Sequence, residues 1–122
     1  MITILPESEG NVLVVRATQK LTKRDYEDVF IPKLDQLIQQ HGKIRVVMYL
    51  DSSFEGWELG AMWDDATFGL KHRNDFERVA VVGGSRWLGW ATKLSSHLME
   101  GQVRNYDASS LQEAILWAKQ LM

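Results

Sequence analysis

Ile44-Arg45-Val46-Val47-Met48-Tyr49-Leu50 is the stretch that decides the fold. A strand with one wet face alternates apolar and polar residues, whereas this run is almost continuously apolar. That is the pattern of a strand covered on both faces, as in parallel sheets. Val79-Ala80-Val81-Val82 is a second such run. Between the two lies a helical pattern from about residue 55 to 73. After the second run, Trp87, Trp90, Ala91, Leu94 and Leu98 fall on another helical stripe. Buried strands alternating with helices imply right-handed βαβ crossovers and a largely parallel sheet.

Toward the N-terminus, residues 2–5 and 11–17 are β-rich runs separated by Glu7-Ser8-Glu9-Gly10-Asn11, which reads as a hairpin. A helix then starts at Thr22, with Asp25 in the capping-box position and Leu21 and Tyr26 at the two staple positions. Tyr26, Phe30, Leu34, Leu37, Ile38 and His41 keep helical spacing, and Gly42 supplies the terminator. Pro32 inside this helix predicts a kink or break near residues 28–32. Toward the C-terminus, Gln102 to Tyr106 is a weaker strand. A last helix over about 108–121 has Asp107 or the pair Ser110 and Glu113 as its cap. It packs through Leu111, Ala114, Ile115 and Ala118, with Trp117 off that stripe, at an exposed edge or in a dimer contact. The order ββαβαβαβα gives an α/β fold with four helices, and no linker or repeat divides the 122 residues, so residues 1–122 read as a single domain.

Composition removes several functions. There are no cysteines, which excludes disulfides, thiolate metal sites and cysteine nucleophiles. Lys plus Arg number 14 against 16 Asp plus Glu, so the basic excess of a nucleic-acid footprint is missing. No apolar run reaches the roughly 18 residues of a membrane span, and the Met1 to Pro6 start has no charged leader region, so a cytoplasmic protein is expected. His41, His72 and His97 lack metal-ligand spacing, no GxSxG elbow occurs, and no carboxylate pair is placed across a cleft. The reading is a non-enzyme with no cofactor.

Ligands of an open α/β sheet bind beyond the carboxyl ends of its strands. Two loops qualify. Gly83-Gly84-Ser85 reads as a tight strand-to-helix turn with Ser85 as the cap, or as a weak phosphate cradle. Asp51-Ser52-Ser53-Phe54-Glu55 reads as a capping box through Ser52 and Glu55. Its alternatives are a ligand-facing Asp51 and a phosphorylation site at Ser52 or Ser53. The helical pattern that follows is unusual. Leu59, Met62, Trp63, Ala66 and Leu70 fall in one stripe, and Phe54, Trp57, Ala61 and Phe68 fall on the opposite side. A helix covering a sheet needs one apolar face, so the second seeks a ligand, a membrane surface, another subunit or a neighbouring helix. Lys71-His72-Arg73 at its end complements the helix dipole and is a marginal headgroup signal. Trp87 and Trp90 lie on the core stripe of the next helix.

Several short matches together resemble the SpoIIAA-like proteins, a STAS/CRAL-TRIO-like branch of small bacterial domains. They are Leu21-Thr22 with Asp25-Tyr26, Pro32, Gly42 to Val46, Phe54 with Gly56-Trp57, and Val81-Val82-Gly83. Trp87, Trp90 and Lys93-Leu94 follow, and then Tyr106-Asp107. The resemblance implies a mixed, mostly parallel five-stranded sheet with four helices, often a homodimer. It also implies a mobile helix after the third strand that opens an apolar pocket or meets a membrane. On that basis Phe54, Trp57, Ala61 and Phe68 are the expected ligand- or membrane-binding residues, with Asp51, Gly83, Gly84 and Trp87 on the pocket rim. The expected partner is an apolar small molecule or lipid, with peripheral association at the inner membrane face and no nucleic acid. Asp51-Ser52-Ser53 matches the phosphorylation motif of the sigma-regulating members, except that Phe54 stands where that motif has glycine. The alternative function is therefore a phosphorylation-switched protein-interaction module.

Overall fold

The computed structural model describes residues 2–57, 75–84 and 102–120, save the side chains of Leu21, Lys23, Tyr26 and Trp57. The elements in order are β1 (Ile2–Ile4), β2 (Val12–Ala17), β3 (Lys20–Leu21), α1 (Lys23–Asp25), a π-helical turn (Tyr26–Phe30), α2 (Ile31–His41), β4 (Ile44–Leu50) and β5 (Gly56–Trp57). β6 (Phe76–Val82), β7 (Gln102–Tyr106), a 3-10 turn (Ala108–Ser110) and α3 (Leu111–Lys119) complete them. Five strands form one sheet in the order β1-β2-β4-β6-β7, and β3 and β5 form a separate two-stranded ladder.

β4 lies at the centre, parallel to β2 on one side and to β6 on the other. β7 is parallel to β6, and β1 is antiparallel to β2, so the sheet is mixed. The register explains why the central runs do not alternate. Leu13, Val15, Val46, Met48, Val79 and Val81 point to one side, into a core with Phe30, Leu34 and Leu37. Val12, Val14, Val47, Ala80 and Val82 point to the other, against Ala114, Ile115, Trp117 and Ala118 of α3. Both faces are dry, as the apolar runs require.

The hairpin forms where expected, with Ser8 Oγ tied to both backbone groups of Val14 at 2.9 and 3.1 Å. β6 begins at Phe76, three residues before the apolar run that announced it. The capping box also forms. Asp25 Oδ2 accepts the Thr22 backbone N–H at 3.0 Å, and Thr22 Oγ1 accepts the Asp25 N–H at 3.2 Å. The break near residues 28–32 takes the form of the π turn. Pro32 has no N–H to give and its ring crowds the preceding turn, so the helix widens just ahead of it. Gly42 closes α2 with an N–H bond to the Ile38 carbonyl at 2.7 Å.

Three expectations need correction. The segment at residues 55–57 is not the start of a helix, because Gly56 and Trp57 pair with Lys20 and Leu21 as β5. Of the four expected helices, those over residues 58–73 and 87–98 lie outside the described residues. Neither Asp107 nor Ser110 caps α3 with its side chain; the 3-10 turn closes instead through the Ser110 N–H and the Asp107 carbonyl at 2.9 Å. Trp117, expected at an exposed edge or in a dimer contact, is only 4 % exposed. The guanidinium groups of Arg78 and Arg104 lie over its ring at 5.0 and 4.8 Å, with Tyr106 beside it.

The end of α3 is held by arginines from the sheet. Arg78 Nη1 donates to the Trp117 carbonyl at 2.6 Å. Arg45 Nη1 donates to the carbonyls of Ala118, at 2.8 Å, and Gln120. Arg45 also gives two bonds to Glu77 Oε1, at 2.9 and 3.1 Å. Two cations thus meet the negative end of the helix, where the Trp117 carbonyl also accepts the Gln120 N–H at 3.3 Å. Arg45→Ala takes the arginine away from the Ala118 and Gln120 carbonyls and from Glu77 and is expected to cost about 3 kcal/mol. Thr22→Ala is expected to cost about 1 kcal/mol. Urea denaturation of the two variants beside the parent measures both.

Candidate functional site

The carboxyl ends of β2, β4 and β6 form one edge, and Asp51 organises it. Its N–H bonds to the Ala17 carbonyl at 3.0 Å, which ties the end of β4 to the end of β2. Its Oδ2 pairs with Arg16 through Nη2 at 2.6 Å and Nε at 3.0 Å. Its Oδ1 accepts the Ser53 N–H at 2.9 Å, and its carbonyl accepts the Phe54 N–H at 2.9 Å. The hydrogen bonds from Ser53, and after them Arg16, hold the Asp51 carboxyl below the usual carboxylate range. Asp51 is therefore committed within the loop.

Ser52 and Ser53 are exposed. The capping box proposed for Ser52 and Glu55 does not form, because the Glu55 N–H goes to the Gln19 carbonyl at 2.7 Å and the chain continues extended into β5. Phe54, expected on an outward apolar face, is 1 % exposed and belongs to the core cluster that holds Phe30 and Leu50. The backbone of Trp57 lies on β5, while Ala61, Phe68 and Trp87 lie outside the described residues. At the end of β6, the N–H groups of Gly83 and Gly84 both bond to the Tyr106 carbonyl, at 3.0 and 2.9 Å. That is the tight turn, and it leaves these two amides no hydrogen to offer a phosphate.

Among the described residues, two clefts lie at the opposite edge of the sheet, away from residues 51–57. One, of about 500 Å³, is lined by Asn11, Arg45, Glu77 and Lys119 among others. The other, of about 270 Å³, lies between the hairpin and α2 beside Lys33 and His41. The walls of the larger are paired internally, Arg45 with Glu77 and Lys119 with Glu9 at 3.2 Å. Among the described residues no group of His, Asp and Glu is arranged to hold a metal ion. No helix among them is long and apolar enough to cross a membrane. Sequence reasoning missed the Arg16–Asp51 pair and the β3–β5 ladder. Gly56, interrupting the helical pattern, was the one available signal for the ladder.

A family model described as SpoIIAA-like matches residues 12–119. The chain belongs to the SpoIIAA-like family. It is also similar to the crystal structure, at 2.25 Å resolution, of a DUF3478-family protein with a SpoIIAA-like fold from Shewanella loihica PV-4. The two are 29% identical over 96% of this chain and 93% of that one, with a TM-score of 0.71. No curated protein matches this chain. The family expected from the scattered motifs is thus the family found, and the SpoIIAA-like fold explains the mixed five-stranded sheet.

Phe54→Ala is expected to destabilise this SpoIIAA-like chain by about 3–5 kcal/mol, as a core truncation does, measurable as a lowered urea midpoint. Asp51 has a lower pKa folded than unfolded, so its contribution to stability is present above the ordinary carboxylate pKa and is lost as pH falls through the folded value. Asp51→Asn is expected to flatten the fall in thermal midpoint below about pH 4.

Proposed function

We propose that this SpoIIAA-like chain is a non-enzymatic binding module for an apolar or amphipathic ligand of the lipid class, taken up beside residues 51–68. Peripheral contact with a membrane surface belongs to the same reading. The observation that carries it is the state of the polar groups at the carboxyl edge. The Asp51 carboxylate is used by Arg16 and Ser53, and the Gly83 and Gly84 amides by Tyr106. The segment that leaves this edge carries Trp57, Ala61 and Phe68 in its sequence, and this reading gives those side chains to the ligand. Buried Phe54 serves in this reading as the anchor that positions the segment.

The magnitudes fit weak, reversible binding. Trp57 and Phe68 together bury roughly 300–500 Å², about 8–12 kcal/mol gross at ~25 cal/mol/Å². Lost translational and rotational freedom offsets roughly 4–15 kcal/mol of that. Trp57→Ala and Phe68→Ala are expected to weaken sedimentation with phospholipid vesicles at least about tenfold, a loss of about 1.4 kcal/mol, while the thermal midpoint holds. Leu34→Ala, a fully buried core change, supplies the contrast. Equal destabilisation in all three variants, with binding intact, contradicts the reading.

A second reading is supported by the exposure of Ser52 and Ser53, which follow directly on Asp51, the partner of Arg16. In it the loop is phosphorylated and a protein partner senses the charge. A phosphate there meets a cation at Arg16 and a like charge at Asp51. Intact-mass measurement on protein from its native host is expected, in this second reading, to find an adduct of about 80 Da on the peptide holding Ser52 and Ser53. Its absence across growth conditions removes that reading.

A further inference from the structure

Arg78 and Arg104 both lie over the ring of Trp117, their guanidinium carbons 5.0 and 4.8 Å from its centroid. The strand register explains the meeting. Arg78 is level with Gln102, Ala80 with Arg104 and Val82 with Tyr106. Side chains alternate along a strand, so these six residues share the face on which Ala80 and Val82 pack against α3. Trp117 of α3 arrives on the same face, and two positive charges thereby share one aromatic ring. The partner they lack is an anion. Arg16 on β2 has Asp51 and Arg45 on β4 has Glu77, but among the described residues no carboxylate pairs with Arg78 or Arg104. The Arg78 hydrogen bonds run through Nη1, to the Trp117 carbonyl at 2.6 Å and Gln120 Oε1 at 3.4 Å, and its buried Nε has no partner. Arg104 is exposed, and its contact with the indole is the one interaction its guanidinium makes among the described residues.

The negative face of an indole attracts each cation, yet it does nothing about the repulsion between the two. A guanidinium held over a ring keeps its N–H groups to donate, in a fork that fits the oxygens of a phosphate. We propose that Arg104, backed by Trp117 and by the charge of Arg78, binds the phosphate group of a small soluble ligand. Two uncompensated positive charges match the charge of about −1.5 to −2 on a phosphate monoester near neutral pH better than they match a single carboxylate. Arg104, the exposed member, makes the contact. Arg78 acts from beneath through its charge, and half-buried Tyr106, beside Trp117, forms the adjoining wall. The site is on the face opposite the core that holds Phe54, so it does not rest on the binding reading above.

The test is an NMR titration of the full chain with inorganic phosphate near neutral pH, the ionic strength held constant with sodium chloride. The Nε–H of Arg104 and the indole N–H of Trp117 are expected to shift saturably, with a Kd in the millimolar range, and acetate is expected to bind several-fold more weakly. Arg104→Gln removes the charge from an exposed position and is expected to weaken phosphate binding at least about tenfold, read at the Trp117 indole. Arg104→Lys, which keeps the charge and loses the fork, is expected to fall between that variant and the parent. Lys33→Gln, on α2 against the other face of the sheet, removes the same charge and is expected to leave the Kd unchanged. Shifts that do not saturate, that survive in Arg104→Gln, or that acetate reproduces at equal concentration overturn the phosphate site. Equal weakening in Lys33→Gln also overturns it, because general charge then accounts for the binding.

Discussion

The rest of the structure depends on keeping Ile44–Leu50 dry on both faces. One face is covered by the core that includes Phe30, Leu34 and Leu37, and the other by α3. The first cover is built early in the chain, where the capping box at Thr22 and Asp25 starts the helix and the π turn lets it pass Pro32. The second cover is a short helix of nine residues, uncapped by side chains at its start. Hydrophobic contact runs through Ala114, Ile115, Trp117 and Ala118, and the clamp by Arg45 and Arg78 on its terminal carbonyls adds to it. Charge at one end of the sheet thereby secures the apolar core in its middle.

The same sheet separates its two ends by chemistry. At the amino edge, the arginines and Glu77 serve α3. At the carboxyl edge, Arg16, Asp51 and Tyr106 serve the turns that leave β4 and β6. At the carboxyl edge the Asp51 carboxylate is held by Arg16 and Ser53, and the Gly83 and Gly84 amides by the Tyr106 carbonyl.

Most of the fold was legible because a strand buried on both faces has few sequence alternatives. The runs at 44–50 and 79–82, the Thr22 capping box and the effect of Pro32 all follow from local rules, and the SpoIIAA-like family follows from their order. What escaped the sequence was decided by distant partners. Trp117 lies off the stripe of its helix, yet Arg78, Arg104 and Tyr106, from β6 and β7, enclose it. Phe54 and Trp57 fit a helical period, yet the backbone between them is claimed by Gln19, Lys20 and Leu21 more than thirty residues earlier. Spacing alone cannot weigh such a claim. At the candidate site, Asp51 was legible as important, but its pairing with Arg16 was not, since nothing local joins them.

Native mass spectrometry of the freshly purified chain, as isolated and after incubation with phospholipid, tests the central claim most directly. The account predicts an adduct of one lipid mass on the parent chain, lost in Trp57→Ala while that variant stays folded. The bare chain mass under both conditions, with no lipid retained, would contradict it.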